Sequence, residues 1–147
     1  MYKNKSFLAI IPARGGSKGL HNKNVKKLCG KPLIVWSIES GLASEYIDEV
    51  IVSTDYQSIA DISKKHGAYV PFLRPDYLAT DTASTFDAVK NVIDFYKNEL
   101  NKFFDYIVLL EPTSPLRKDV DIDNMIEKIT NNNYFDSIIS IGEVNEH

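Results

Sequence analysis

Apolar positions along the chain fall into two kinds of segment that alternate. Short apolar runs bounded by turn residues occur at Phe7 to Pro12, Glu49 to Asp55, Ala68 to Leu73, Asp105 to Glu111 and Ser137 to Ile141, the form of strands buried in a sheet. Between them lie longer segments with helical spacing. Leu33 to Ser44 is apolar on most sides around Trp36, with Pro32 placed where a missing N–H costs little. A second helix runs from about Ser58, carries Ile59 and Ile62, and stops at Gly67. A third, capped near Ser84, repeats Phe86, Val89, Ile93, Tyr96 and Leu100, and a fourth repeats Ile122, Met125, Ile126 and Ile129. Strands alternating with helices of this length predict βα crossovers, and so an α/β fold with a mostly parallel sheet in three layers. No Pro/Gly/Ser-rich linker or repeat divides the 147 residues, which read as a single domain over 1–147.

This order of elements sends the polar residues to one end. In open α/β sheets ligands bind beyond the carboxyl ends of the strands. There the sequence has Arg14 to Asn24 after the first strand, Ser53-Thr54-Asp55 after the second, Arg74 to Ser84 after the third, and Glu111 to Arg117 after the fourth. The first of these loops, Arg14-Gly15-Gly16-Ser17-Lys18-Gly19-Leu20-His21-Asn22-Lys23-Asn24, combines glycines with cations. Backbone N–H groups at Gly15, Gly16 and Gly19 can approach an anion, and Arg14, Lys18 and Lys23 can neutralise it. The bland alternative is a surface turn with solvated lysines.

Charge supports the anion reading. Lys3, Lys5, Arg14, Lys18, Lys23, Lys26, Lys27 and Lys31 all precede the first acid, Glu39, so the opening carries +8. The remaining nine bases and all 20 acids give −11. A net charge of −3 argues against a general nucleic-acid binder, because the positive charge is local. The loop matches neither G-x-x-x-x-G-K-[ST] nor G-x-G-x-x-G, so neither a P-loop NTPase nor a standard dinucleotide enzyme is supported. The spacing fits a triphosphate better than a lone carboxylate.

The third and fourth loops admit two readings each. Arg74, Ala83 and Ser84 lie just ahead of a helix and can recognise a base or ribose, or Ser84 can simply cap that helix through the Asp87 amide. Glu111-Pro112-Thr113-Ser114-Pro115-Leu116-Arg117 is a proline-stiffened polar loop suited to a ligand, or a strand-ending turn. Cys29 has no partner thiol and reads as a small buried residue. His21, His66 and His147 show no metal-ligand spacing. With neither a signal-peptide pattern nor a membrane-length apolar stretch, a soluble cytoplasmic protein is expected.

Taken in order, Ile11-Pro12-Ala13-Arg14-Gly15-Gly16-Ser17-Lys18-Gly19 with Lys23-Asn24, Val52-Ser53-Thr54-Asp55, Arg74-Pro75 with Leu78 to Ser84, and Leu110-Glu111-Pro112-Thr113-Ser114-Pro115-Leu116-Arg117 closely resemble the acylneuraminate cytidylyltransferases, or CMP-sialic acid synthetases. The resemblance implies a Rossmann-like nucleotidyltransferase fold of the nucleotide-diphospho-sugar transferase type. It also implies conversion of CTP and an acidic nine-carbon sugar, a sialic or related nonulosonic acid, into a CMP-sugar and pyrophosphate. By that likeness Arg14, Ser17, Lys18, Lys23 and Asn24 hold the CTP phosphates, with Lys23 and Arg14 catalytic. Arg74, Ala83 and Ser84 surround cytosine and ribose, and Glu111 and Ser114 lie near the sugar. Magnesium is implied as cofactor, and a homodimer as the full-length assembly.

Two departures from the family pattern bear on the reading. Members commonly carry Gln where this chain has Glu111, which leaves the sugar open, including another keto-acid. The chain also ends at Glu146-His147, so the dimerisation segment and the aspartate pair for the metal are expected beyond it, and no metal ligand is assigned within it. A non-catalytic nucleotide-binding or interaction module built on the same fold is the alternative.

Overall fold

Strand β1 (Phe7–Pro12) forms the centre of the sheet and is paired on both edges. The computed structural model describes residues 1–16, 19–20 and 22–141. Within these, β4 (Glu49–Ser53) runs parallel to β1 from Leu8↔Glu49 to Pro12↔Ser53, and β5 (Tyr106–Leu109) runs parallel to its other edge from Phe7↔Tyr106 to Ile10↔Leu109. The sheet order is β4-β1-β5. A strand in this position must be apolar on both faces, and Phe7 to Ile11 are wholly buried. Phe7, Ala9 and Ile11 belong to a core with α1 (Leu33–Ala43), α2 (Gln57–Lys65) and α4 (Asp119–Thr130), while Leu8 and Ile10 pack with Val92 and Tyr96 of α3 (Thr85–Leu100). The larger of these side chains, such as Phe7, Leu8, Ile10 and Ile11, each contribute about 1.5–3 kcal/mol by leaving water. The result is the expected three-layer, mostly parallel α/β architecture.

Four sequence expectations need correction. The Ala68 to Leu73 strand reduces to one parallel bridge, Ile51↔Tyr69. Tyr69 N–H donates to the Val50 carbonyl and Val52 N–H to the Tyr69 carbonyl; the next donor in a parallel ladder would be residue 71, which is proline and has no N–H. The Ser137 to Ile141 strand does not form. Those residues pair with nothing among the described residues, and Ile139 and Ile141 are exposed.

The stripe assigned to the third helix is rotated. Its buried face is Ala88, Val92 and Tyr96, while Phe86 is 73% exposed, because the small Ala88 side chain lets the helix approach the sheet closely. Finally, Cys29 is exposed, at the tip of an antiparallel hairpin between β2 (Lys27–Leu28) and β3 (Lys31–Pro32). Cys29 (φ 50°) and Gly30 (φ 86°) supply the two positive φ angles of a tight hairpin turn. Trp36 of α1 holds this hairpin down by donating its Nε1–H to the Leu28 carbonyl at 3.0 Å, with Lys31 Nζ 4.1 Å from its ring centroid.

Candidate functional site

The polar segments leaving β1 and β5, with the segment from Arg74 to the start of α3, enclose a pocket of about 330 Å³ lined by Arg14, Lys23, Asn24, Arg74, Ala83, Ser84 and Glu111, together with Pro12, Gly19, Asp81, Thr85, Pro112 and Thr113. Seven of the ten residues singled out in the sequence thus meet in one cavity. Ser17 and Lys18 lie outside the described residues. Ser114 is not part of the lining; it is exposed and closes a turn by donating its N–H to the Glu111 carbonyl at 3.1 Å.

The first loop is held from below by the end of β4 and the residues that follow it. Ala13 N–H donates to the Ser53 carbonyl at 2.9 Å, and Gly15 N–H donates to Asp55 Oδ1 at 2.8 Å. Gly15 is required by a close approach: a Cβ there would lie 2.2 Å from a ring carbon of Tyr56. Its amide is therefore committed to a carboxylate of this chain rather than to a bound ligand, unlike the role expected for it. Asn24, in a single 3-10 turn over Lys23–Val25, is buried and donates Nδ2–H to the Arg14 carbonyl at 3.3 Å. Its Oδ1 has no protein partner among the described residues. Arg14 Nη1 reaches across the pocket to Asp81 Oδ1 at 2.6 Å.

Arg74 is only 6% exposed, and its hydrogen bonds explain how a buried guanidinium is tolerated. Nε donates to Ser53 Oγ at 3.1 Å, Nη2 to the Ser53 carbonyl at 2.7 Å and Nη1 to the Leu78 carbonyl at 3.4 Å. Burial lowers the tendency of Arg74 to hold its proton, and the Asp55 carboxylate is the strongest opposing influence, ahead of Glu111. The remaining lining comes from the start of α3. Ser84 Oγ accepts the Asp87 N–H at 3.1 Å while Asp87 Oδ2 accepts the Ser84 N–H at 3.0 Å, a reciprocal cap. The capping reading of Ser84 therefore holds, whatever else it does.

Glu111 is half-buried, and burial pushes its carboxyl above the ordinary range, against the pull of Arg117, Lys23 and Arg74. Arg117 Nη2 donates to the Glu111 carbonyl at 3.1 Å. The pocket therefore offers cations at one wall, hydroxyls and a helix N-terminus at another, and one carboxyl group that burial keeps reluctant to ionise. Among the described residues no group of three or more His, Cys, Asp or Glu could hold a metal ion. Asp81 was not singled out in the sequence as a site residue, since nothing in its hydroxyl-rich turn discloses a partner 67 positions away. A larger hollow of about 460 Å³ at the amino end of β4 is lined mainly by apolar surface, and its Glu49 is already bonded to the Tyr96 hydroxyl at 2.7 Å. It lacks the convergent polar groups of a ligand site.

A family model for cytidylyltransferases matches residues 8–146. The CMP-N,N'-diacetyllegionaminic acid synthase of Legionella pneumophila is 44% identical over 142 residues, covering 94% of this chain and 58% of that protein. The N-acylneuraminate cytidylyltransferase of Escherichia coli O18:K1:H7 is 38% identical over 140 residues, covering 95% of this chain and 32% of its own length. For the pseudaminic acid cytidylyltransferase of Campylobacter jejuni serotype O:23/36 the identity is 40% over 125 residues, covering 85% of this chain and 53% of the relative. The chain thus spans about a third to three-fifths of the length of these relatives. Among solved structures, CMP:2-keto-3-deoxy-manno-octonic acid synthetase complexed with CTP superposes with a TM-score of 0.73 at 22% identity, covering 87% of this chain and 48% of that one. 4-Diphosphocytidyl-2C-methyl-D-erythritol synthase gives a TM-score of 0.66 at 13% identity, covering 87% of this chain and 56% of that one. These two likenesses establish the nucleotidyltransferase fold.

Proposed function

The chain belongs to the cytidylyltransferase family, and from that premise we propose that it forms the nucleotide-binding part of an enzyme that joins CTP to a nonulosonic acid. The observation that carries the proposal is the convergence of Arg14, Lys23, Asn24, Arg74, Ala83, Ser84 and Glu111 on one pocket beyond the carboxyl ends of the sheet. In the reaction, the anomeric hydroxyl of the sugar attacks the α-phosphorus of CTP. The new bond is C–O–P, the bond to the β-phosphate oxygen breaks, pyrophosphate leaves, and the hydroxyl proton passes to solvent or base.

No protein nucleophile is needed, so binding and electrostatics are the chain's contribution. Arg14 and Lys23 offset phosphate charge, Lys23 most where charge builds in the transition state, and Asn24 holds the loop that carries Arg14. Ser17 and Lys18 stay phosphate-binding candidates by sequence alone. Arg74, Ala83 and Ser84 are assigned to the cytidine end, and Glu111, with Ser114 in the adjoining turn, to the sugar side. Relatives of this chain are named for legionaminic, N-acylneuraminic and pseudaminic acids, so the acceptor class is an acidic nine-carbon sugar. A magnesium ion is part of the whole-protein proposal; the described residues hold no cluster of three or more His, Cys, Asp or Glu for it, and no step above runs through it. By the family likeness the whole protein is proposed to be a cytoplasmic homodimer; no helix among the described residues is long and apolar enough to cross a membrane.

Isothermal titration with CTP, UTP and GTP tests the nucleotide. A preference for CTP is expected, and equal affinity for all three overturns the assignment. Incubation of CTP with a panel of N-acylneuraminic, legionaminic and pseudaminic acids, followed by detection of CMP-sugar and pyrophosphate, tests the chemistry and names the acceptor.

A further inference from the structure

The loop after β1 and the buried Arg74 line different walls of the pocket, yet three consecutive residues at the end of β4, Ser53, Thr54 and Asp55, hold both. The Ser53 carbonyl accepts from Ala13 N–H at 2.9 Å and from Arg74 Nη2 at 2.7 Å, using both of its lone pairs. The Thr54 carbonyl accepts the Arg74 N–H at 2.7 Å. Asp55 Oδ1 accepts the Gly15 N–H at 2.8 Å, and the same carboxylate is the main charge favouring protonated Arg74. The next residue, Tyr56, lays its ring against Gly15 so closely that no Cβ fits between them. Every one of these contacts joins chain segments that are far apart in sequence.

We propose that Asp55 is a positioning residue that fixes the distance between the Arg14–Gly15 end of the pocket and Arg74, and so makes the site a gauge for ligands that span both. The proposal rests on the CTP reading above. Asp55 does not line the pocket, so it acts through the Gly15 amide, beside the Ser53 and Thr54 carbonyls that hold Arg74, rather than by touching ligand. A ligand occupying one end alone, such as inorganic tripolyphosphate at the cation loop, does not sense the spacing. A ligand with phosphates at one end and a nucleoside at the other does, because both sets of contacts form only when the two ends stand the right distance apart. Hydrogen bonds to a charged acceptor carry more energy than neutral ones, so loss of the Asp55 tie leaves the Gly15 amide without its acceptor and the loop free to shift.

The test is titration of wild-type, Asp55→Ala and Asp55→Asn proteins with CTP and, separately, with tripolyphosphate, alongside thermal melting. Asp55→Ala is expected to bind CTP about tenfold more weakly, the size of one charge-assisted hydrogen bond, while tripolyphosphate binding stays within about threefold or tightens. Asp55→Asn keeps an acceptor oxygen for Gly15 and is expected to recover CTP binding to within about threefold of wild type. If the alanine protein does not fold, Asp55→Ser, too short to reach the Gly15 amide, carries the same comparison. A folded Asp55→Ala protein that binds CTP as wild type does, or that loses CTP and tripolyphosphate equally, overturns the proposal alone. A wild-type protein that binds no CTP overturns the nucleotide reading and this proposal with it.

Discussion

Arg14 Nη1 donates to Asp81 Oδ1 at 2.6 Å across the mouth of the pocket, so a cation assigned to phosphate is already held by a carboxylate. A polyphosphate must compete with Asp81 for that guanidinium or share it, since Arg14 has further donors. Two substitutions with opposite signs follow. Arg14→Ala is expected to weaken CTP binding by roughly 1.5–3 kcal/mol, about tenfold to a hundredfold, through loss of a charge-assisted contact. Asp81→Asn removes a negative charge from the entrance and is expected to tighten binding by about threefold at low salt, an effect that fades as salt is added. Titration calorimetry at two ionic strengths reads both, and a weaker Asp81→Asn complex would show that the pair organises the site rather than guarding it.

Gly15→Ala is expected to destabilise the protein by about 1–3 kcal/mol, because its Cβ meets the Tyr56 ring at 2.2 Å and one of the two must move. The Gly15→Ala/Tyr56→Ala double variant should recover much of that loss, giving a non-additive cycle. Denaturant melts of the four proteins measure it. Simple additivity would mean that the ring is not what excludes a side chain at residue 15.

Glu111 supplies a pH signature. Its carboxyl is raised above the ordinary 4.5 by burial, so the folded state holds the proton more tightly than the unfolded chain does. Stability from this group is fully present below the unfolded value and is lost as pH rises through the folded one. Glu111→Gln removes the titration. The melting temperature of the variant relative to wild type should therefore climb between pH 4 and 7, and a constant difference across that range would refute the assignment.

Ser84→Ala tests the cap of α3. Loss of the hydroxyl that receives the Asp87 amide should cost about 1 kcal/mol, roughly 2–4 °C in melting temperature. Asp87 is held below the usual carboxylate range chiefly by the Ser84 hydroxyl and amide. That contribution is present above the unfolded value and lost as pH falls through the folded one, so Ser84→Ala should flatten the acid limb of the stability curve. An acid limb identical in both proteins would refute the coupling.

The sequence disclosed the layers and the end of the sheet that gathers polar groups, because both depend on local pattern. A run such as Phe7 to Ile11 can satisfy its periodicity only when covered on both faces, and βα alternation leaves little choice of topology. What it did not disclose was decided by partners. Residues 137–141 have strand-like composition but no neighbour to pair with among the described residues, and Ile107 (36% exposed) and Leu109 (43%) belong to a strand whose outer edge is unpaired among those residues, although its run reads as a buried strand. The Ala68 to Leu73 strand was legible up to the point where Pro71 withholds a donor, a consequence visible only once Tyr69 is known to pair with Ile51. At the site, residue types chosen for charge were brought together. The commitments of their atoms, such as the Gly15 amide to Asp55 and three of the Arg74 nitrogens to backbone and Ser53, could not be read from spacing.

The double pairing of β1 reaches beyond stability. A parallel strand clamped along both edges cannot slip by one residue without turning every side chain to the wrong face and breaking two ladders at once. The point at which the basic loop leaves the sheet is therefore fixed to the length of a single residue step, about 3.3 Å. Insertions or deletions within residues 7–12 would displace the whole loop as a unit, whereas any adjustment to an arriving ligand has to begin after Gly15, whose amide is tied to Asp55 just beyond β4.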